Sequence, residues 1–285
     1  MRIPCRRAGK WGRKIARACR LPPIRGFSVP LIVFRSVLFN LLFYPYCAFW
    51  FIVAIGTWPF PTGVIMAVAR GWARGALWLH AITTGARFEF RGIERVPKGS
   101  FILAAKHQSA WETMGLLLHV PYPTYILKRE LLRLPLFGWH LLKAKQIPID
   151  RGQRQQALAK MQAHAREAVA RGAQIMIFPE GTRTKVGAPP DYKFGVARMY
   201  AQLNVPCLPV ALTSGLAWPR NTFLHFPRRI IVEYLEPIPA GLAPEVFFER
   251  LKVAIEDNTN RLLAEAGYAP TSGSDRKASP SQSSA

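Results

Sequence analysis

The stretch FILAAKHQSAWE, residues 101–112, consists of an apolar run and a polar segment, with which a second secondary-structure element begins. FILAA has the length and composition of a strand buried inside a sheet. KHQSAWE precedes the apolar run MGLLLHV, and Ser-x-x-Glu ahead of such a run is a start signal for a helix. The stretch is therefore predicted to be a strand that leads directly into a helix, as in an α/β fold.

Similar apolar runs recur further along the chain. They are TYILK, QIPID, QIMIFP and PCLPVAL, at residues 124–128, 146–150, 174–179 and 206–212. Helical patterns separate several of them, and the clearest, residues 154–171, ends at Gly172. RFEFRG indicates an edge strand, RRIIVEYLE a late strand, and residues 243–267 a terminal amphipathic helix. Strands that alternate with helices predict an α/β fold with a largely parallel sheet flanked by helices.

The N-terminal part is instead continuously apolar. Residues 36–69 contain no charged side chain, and about 20 apolar residues suffice to span a bilayer core. Pro45 and the PFPTG break at residues 59–63 predict two apolar helices joined by a turn. The second helix carries Arg70 and Arg74, so we expect it to lie at the membrane interface. A cleaved signal peptide is the alternative, but the run is too long and no small-residue cleavage site follows it.

The net charge of +23 favours a polyanionic partner, either nucleic acid or an anionic lipid surface. The apolar segment favours the membrane, so no nucleic-acid partner is expected. Basic residues precede the segment and also follow it, and the positive-inside rule keeps both parts in the cytoplasm. A re-entrant hairpin or two crossings satisfies that rule at the inner (cytoplasmic) membrane, whereas a single crossing does not. The four cysteines form no CxxC pair, which gives no sign of a zinc site or a disulfide framework.

These changes in composition along the chain predict four segments. Residues 1–26 form a basic leader, and residues 27–84 a hydrophobic, membrane-associated helical hairpin. Residues 85–268 form the α/β domain. The Ser-rich and Pro-containing residues 269–285 form a disordered tail.

Two explanations fit KHQSAWE. As a capping box, Ser109 would accept a hydrogen bond from the Glu112 amide, and the Glu112 carboxylate would reach back to the cap. That explanation leaves His107 without a role. Alternatively, the carboxylate of Glu112 folds back to the imidazole of His107, accepts one ring N–H and leaves the other nitrogen basic. The stretch alone leaves both possibilities open.

Cationic side chains follow three other apolar runs, at Lys128, Arg151 and Arg183. Each of them alone could be a solvated surface charge. In open α/β sheets, however, functional residues collect at the carboxyl ends of the strands. Cations that recur at strand ends beside His107 predict a site for a phosphate or carboxylate next to a base.

KHQSAWE, followed about seventy residues later by FPEGTR, resembles the glycerolipid acyltransferase family, which includes the bacterial 1-acyl-sn-glycerol-3-phosphate acyltransferases. The family pattern is His-x4-Asp, a basic block, Phe-Pro-Glu-Gly-Thr-Arg and then a proline-containing apolar strand, which VPCLPVAL matches. The resemblance covers roughly residues 88–236. The chain departs from the pattern at Glu112, where the family more commonly has aspartate.

The resemblance implies that His107 takes the proton of a lysophospholipid hydroxyl, which attacks the thioester of acyl-CoA or acyl carrier protein. Glu112 would hold the imidazole and stabilise its protonated form. No metal or cofactor is implied beyond the acyl donor. The acceptor's phosphate would be bound by Lys128, Arg183 and, more weakly, Arg151, while the substrate pocket would be lined by Glu180, Gly181 and Thr182.

Three alternatives remain. The acceptor can be another lysolipid, such as a lyso-ornithine lipid, since the same motifs would serve. The chain can instead be a basic membrane-binding protein without activity, although the polar residues at the strand ends would then be coincidence. An acyl-enzyme on Ser109 or Cys207 is also conceivable. Direct attack is favoured, because Ser109 is engaged by the cap and Cys207 lies inside an apolar strand.

Overall fold

The computed structural model describes residues 28–149 and 154–268, except for the side chains of residues 154–158. The predicted leader, the predicted tail and Arg151 therefore lie outside the described residues. The α-helices in these ranges are α1 (Val29–Ile55), α2 (Thr62–Thr84), α3 (Trp111–Gly115), α4 (Phe137–Lys143), α5 (Arg154–Ala170), α6 (Gly195–Leu203) and α7 (Pro244–Glu265). The strands are β1 (Arg87–Arg91), β2 (Ile102–Ala105), β3 (Pro123–Lys128), β4 (Ile147–Ile149), β5 (Gln174–Ile177), β6 (Cys207–Leu212) and β7 (Arg229–Tyr234).

The seven strands form one sheet in the order β1-β7-β6-β2-β5-β3-β4. Every neighbouring pair is parallel except β6 and β7, which are antiparallel. The predicted α/β class with a largely parallel sheet is confirmed, and β1 is the edge strand that RFEFRG indicated. Because β2, β3, β4, β5 and β6 run in the same direction, their carboxyl ends meet at one edge of the sheet.

Strand β2 lies at the centre of the sheet and is buried on both faces. Successive side chains of a strand point to opposite faces. Leu103 packs in the cluster that also holds Trp111 of α3 and Leu77 of α2. Ile102 packs on the other face, in the cluster formed with helices α5, α6 and α7. Helices cover both faces of the sheet, so β2 is continuously apolar instead of alternating.

Helices α1 and α2 form the predicted hairpin, and the PFPTG segment lies at its turn. Pro45 lies inside α1 without ending it. The Tyr46 hydroxyl donates to the carbonyl of Trp72 at 2.9 Å, and a Cβ at Gly75 would lie 2.0 Å from that hydroxyl oxygen. A side chain at position 75 would therefore displace the Tyr46 hydroxyl from its contact with Trp72.

The two helices of the hairpin have different surroundings. The inner face of α2 belongs to the main core through Met66, Ala73 and Leu77. Its His80 also contacts the loop after β6, with Nε2 3.2 Å from Nδ1 of His225. Helix α1 exposes most of its apolar side chains and is, within the described residues, the one helix that is long and apolar enough to cross a membrane. The hairpin thus packs on the α/β domain while α1 presents an apolar outer surface.

Candidate active site

His107 and Glu112 meet at the carboxyl end of β2, where the chain turns from the central strand into α3. The Glu112 side chain is fully buried. Its Oε1 lies 2.9 Å from Nδ1 of His107 and accepts from the backbone amides of Gln108 and Ser109, each at 2.7 Å. Its Oε2 accepts from the Ser214 hydroxyl at 2.6 Å. Four donors therefore hold this carboxylate in one position, as a buried anion requires.

The predicted capping box is only half correct. Glu112 does reach back to the Ser109 amide, but the Ser109 hydroxyl accepts from the amide of Trp111, at 3.0 Å, and not from that of Glu112. Helix α3 has only five residues and begins at Trp111, so its first free amide is the one that Ser109 meets. The single carboxylate oxygen that closes the cap is also the one that contacts His107.

Two contacts fix the orientation of the His107 imidazole. Its ring stacks on that of Phe178, with centroids 4.0 Å apart and planes 14° apart. Nδ1 faces a carboxylate that can only accept, so it carries the proton and leaves the lone pair on Nε2. The ring lines a large cavity. An imidazole that has its second ring nitrogen free of the carboxylate can act as a general base.

The FPEGTR loop holds the backbone of His107. Glu180 is buried, and its Oε2 accepts from the His107 amide at 3.2 Å. The Thr184 amide donates to the His107 carbonyl at 2.7 Å. Gly181 has φ +65°, which suits glycine, and its amide closes the turn on the Phe178 carbonyl at 2.8 Å. The carboxylate of Glu180 thus faces the protein interior, while Gly181 lines the cavity.

Three cationic side chains line the same cavity as His107. Arg183 and Lys128 are two that the sequence predicted, and Lys193 is a third. Lys128 contacts Glu130 at 2.9 Å, and Lys193 contacts Asp191 at 2.7 Å. Thr182, which was predicted to line the pocket, is exposed in the loop. The cavity that the imidazole lines therefore also has cationic side chains in its wall.

Most of the other lining residues are apolar, and the whole cavity has a volume of about 680 Å³. The helical hairpin, β3, α4 and the residues at the end of β5 all contribute to its lining. Tyr125 lines it too, and burial raises the pKa of its hydroxyl, which donates to the Thr113 carbonyl at 2.8 Å. Six of the apolar lining residues are Trp50, Phe51, Met66, Trp72, Leu131 and Phe137. A chamber of this size and lining suits a long hydrocarbon chain.

Sequence reasoning missed three polar residues of this site. Ser214, which binds Glu112, follows β6 at the same sheet edge, so the rule used for Lys128 and Arg183 could have found it. Lys193 follows no strand directly. Lys106 directly precedes His107, but its buried partners lie in distant segments that no local pattern connects to it.

Comparison with known proteins gives consistent matches. Residues 87–213 match the family model described as Acyltransferase. The 1-acyl-sn-glycerol-3-phosphate acyltransferase of Pseudomonas aeruginosa is 36% identical over 205 residues, which are 70% of this chain and 78% of that protein. The enzyme of the same name from Cocos nucifera is 33% identical over 139 residues, 48% of this chain and 45% of that protein.

A solved structure shares the fold. The crystal structure of the 1-acyl-sn-glycerophosphate acyltransferase from Thermotoga maritima superposes with a TM-score of 0.67, covering 81% of this chain and 98% of that one at 20% identity. At this identity the likeness concerns the fold alone. The Pseudomonas relative, by contrast, is similar over 78% of its own length at 36% identity. By that similarity, this chain belongs to the acyltransferase family and is an acyltransferase.

Proposed function

We propose that this acyltransferase transfers an acyl group from acyl-CoA or acyl carrier protein to the sn-2 hydroxyl of 1-acyl-glycerol-3-phosphate, which yields phosphatidic acid for phospholipid synthesis. The observation that carries the proposal is one cavity that joins the imidazole of His107 to Arg183 and Lys128 and to a long apolar chamber. A lysophosphatidate has a hydroxyl, a phosphate and a hydrocarbon chain, and each of these has a matching region. The names of the curated relatives support the same acceptor.

His107 would act as the general base. Its Nε2 takes the proton of the acceptor hydroxyl while the hydroxyl oxygen attacks the carbonyl carbon of the thioester. The carbon–sulfur bond then breaks, and the departing thiolate takes the proton back from the imidazolium. Glu112, which is 2.9 Å from Nδ1, stabilises the imidazolium during this exchange. Acid–base help of this kind is typically worth about 10² to 10⁴ in rate.

The phosphate of the acceptor would be bound by Arg183, with Lys128 as the second cation. A guanidinium can bind a phosphate with two parallel hydrogen bonds, whereas an ammonium acts as a point charge. Arg151 lies outside the described residues, and its contribution stays a prediction. Glu180 would act behind the pocket through the His107 backbone, while Gly181 and Thr182 belong to the loop that carries Arg183.

We also propose that the hairpin holds the enzyme at the cytoplasmic face of the inner membrane. The exposed apolar side chains of α1 would enter the lipid, and anionic headgroups would attract the basic chain. The acyl acceptor would then pass from the bilayer into a cavity that α1 and α2 themselves border. Both thioester donors are water-soluble, so a cytoplasmic active site meets them directly.

An acceptor panel tests the proposal. The full chain in mixed micelles would be given a long-chain acyl-CoA or acyl carrier protein with 1-acyl-glycerol-3-phosphate, monoacylglycerol or lyso-ornithine lipid. We expect phosphatidic acid to form, and we expect kcat/KM for monoacylglycerol to be on the order of 10- to 100-fold lower, because the charge-assisted contacts to the phosphate are lost. Acylation of lyso-ornithine lipid without acylation of lysophosphatidate would refute the proposed acceptor.

Arg183→Ala tests the phosphate site. We expect KM for lysophosphatidate to rise about tenfold or more while kcat changes little, because the lost contact binds the ground state and the transition state alike. Lys128→Ala should have a smaller effect, since its ammonium is half exposed and already paired with Glu130. The control is Lys98→Ala, at an exposed lysine that precedes β2. It therefore lies at the amino end of that strand, away from the carboxyl ends where the site is. An unchanged KM in Arg183→Ala would remove this arginine from the site.

A further inference from the structure

A buried cluster of charges lies directly behind the active-site loop. The ammonium of Lys106 lies 3.2 Å from Oε1 of Glu180 and 2.5 Å from Oε1 of Glu256, and the Lys106 side chain is only 4% exposed. Tyr192 donates its hydroxyl to the same oxygen of Glu256 at 2.8 Å. Burial raises the pKa of Tyr192, so the hydroxyl keeps the proton that it donates. A charge buried to this extent persists only when it is paired, as Lys106 is here.

The cluster is connected to the catalytic histidine through one carboxylate. Oε1 of Glu180 contacts Lys106, whereas its Oε2 accepts from the His107 amide at 3.2 Å. The hydroxyl of Thr184 lies 3.1 to 3.2 Å from both oxygens of Glu180, and its amide donates to the His107 carbonyl. The position of Glu180 therefore affects the backbone of His107 on both sides.

Glu256 comes from helix α7, beyond residues 87–213 that match the family model. Its contact with Lys106 is the shorter of the two ion pairs, and it joins residues 150 positions apart. Without this anion, the ammonium would relax toward its remaining partner, Glu180. That movement would draw the Glu180 carboxylate away from the amide of His107.

We propose that Lys106 and Glu256 are positioning residues for acyl transfer: Glu256 of the terminal helix holds the ammonium of Lys106, which holds Glu180 against the backbone of His107. The inference rests on the proposed role of His107 as base. Neither residue lines the cavity that holds the substrates. Their removal should consequently affect the chemical step more than substrate binding.

Glu256→Gln tests this role, because the amide oxygen can still accept from Tyr192 and Lys106 while the negative charge is lost. We expect kcat to fall about tenfold or more with KM for both substrates within about twofold, since misplacing a catalytic group by ~1 Å can cost 10²-fold in rate. The melting temperature should stay near that of the parent. The control is Glu249→Gln, the same substitution on the same helix at an exposed glutamate, whose ion pair among the described residues is with Lys252 at 3.6 Å.

Tyr192→Phe keeps the test valid if Glu256→Gln folds poorly. It removes one hydroxyl from the cluster, and we expect kcat to fall a few-fold without a change in KM. Wild-type kcat in both variants would overturn the inference, as would losses of kcat that only accompany losses of melting temperature. If His107→Ala is inactive in the same assay, the proposed function still stands. Full activity of His107→Ala would instead rule out His107 as the base, and this inference with it.

Discussion

His107→Ala is expected to reduce acyl transfer most severely, with a loss of about 10² to 10⁴ in kcat, because it removes the imidazole that would accept the hydroxyl proton. The variant should fold, since Glu112 keeps its hydrogen bonds to the amides of Gln108 and Ser109 and to the Ser214 hydroxyl. Formation of labelled phosphatidic acid by the purified full chain in mixed micelles measures the effect.

Two controls accompany this variant. His164→Ala makes the same change on the exposed surface of α5 and should leave the rate unchanged. Cosedimentation of His107→Ala with anionic vesicles should equal that of the parent, because the apolar surface of α1 is untouched. A protein that binds vesicles and still transfers acyl groups at the parental rate would rule out His107 as the base.

Glu112→Gln should give the second largest effect, and it should lower both activity and stability. The carboxylate accepts four hydrogen bonds, whereas an amide group must turn its NH₂ toward one set of these donors. A buried donor left without an acceptor costs about 1 to 3 kcal/mol of folding free energy. The imidazolium also loses its counter-charge, so we expect kcat to fall about 10²-fold or more.

Comparison with Glu112→Asp distinguishes the effect of the negative charge from the effect of side-chain length. Aspartate keeps the anion but is one methylene shorter, so we expect intermediate activity and a smaller loss in thermal unfolding temperature. Glu94→Gln, at an exposed glutamate before β2, is the control for the substitution itself. Parental kcat in Glu112→Gln would show that the carboxylate does not assist His107.

Local patterns predicted the elements and the pair at the centre of the site. Short apolar runs gave the buried strands, and the spacing of His107 and Glu112 across the strand-to-helix turn brought the two side chains within 2.9 Å. Both kinds of signal act over a few residues, where backbone geometry alone sets which groups meet. The fold class and the helical hairpin were predictable for the same reason.

Contacts between distant segments were not predictable in this way. Ser214 donates to Glu112 from 102 residues away because β6 lies beside β2 in the sheet, and no local pattern specifies that strand order. The pairing of Lys106 with Glu256 depends equally on where α7 packs. The capping box was wrong in one bond because the sequence does not reveal that α3 begins at Trp111.

Because the hairpin borders the cavity, the proposed membrane anchor cannot be separated from the active site. Shortening the chain to begin at β1, a common way to obtain a protein that needs no detergent, would remove Trp50, Met66 and Trp72 from the cavity wall. It would also uncover core residues that now pack on Leu77 of α2. A detergent-free version of this protein must therefore keep both helices and change only the outward side chains of α1.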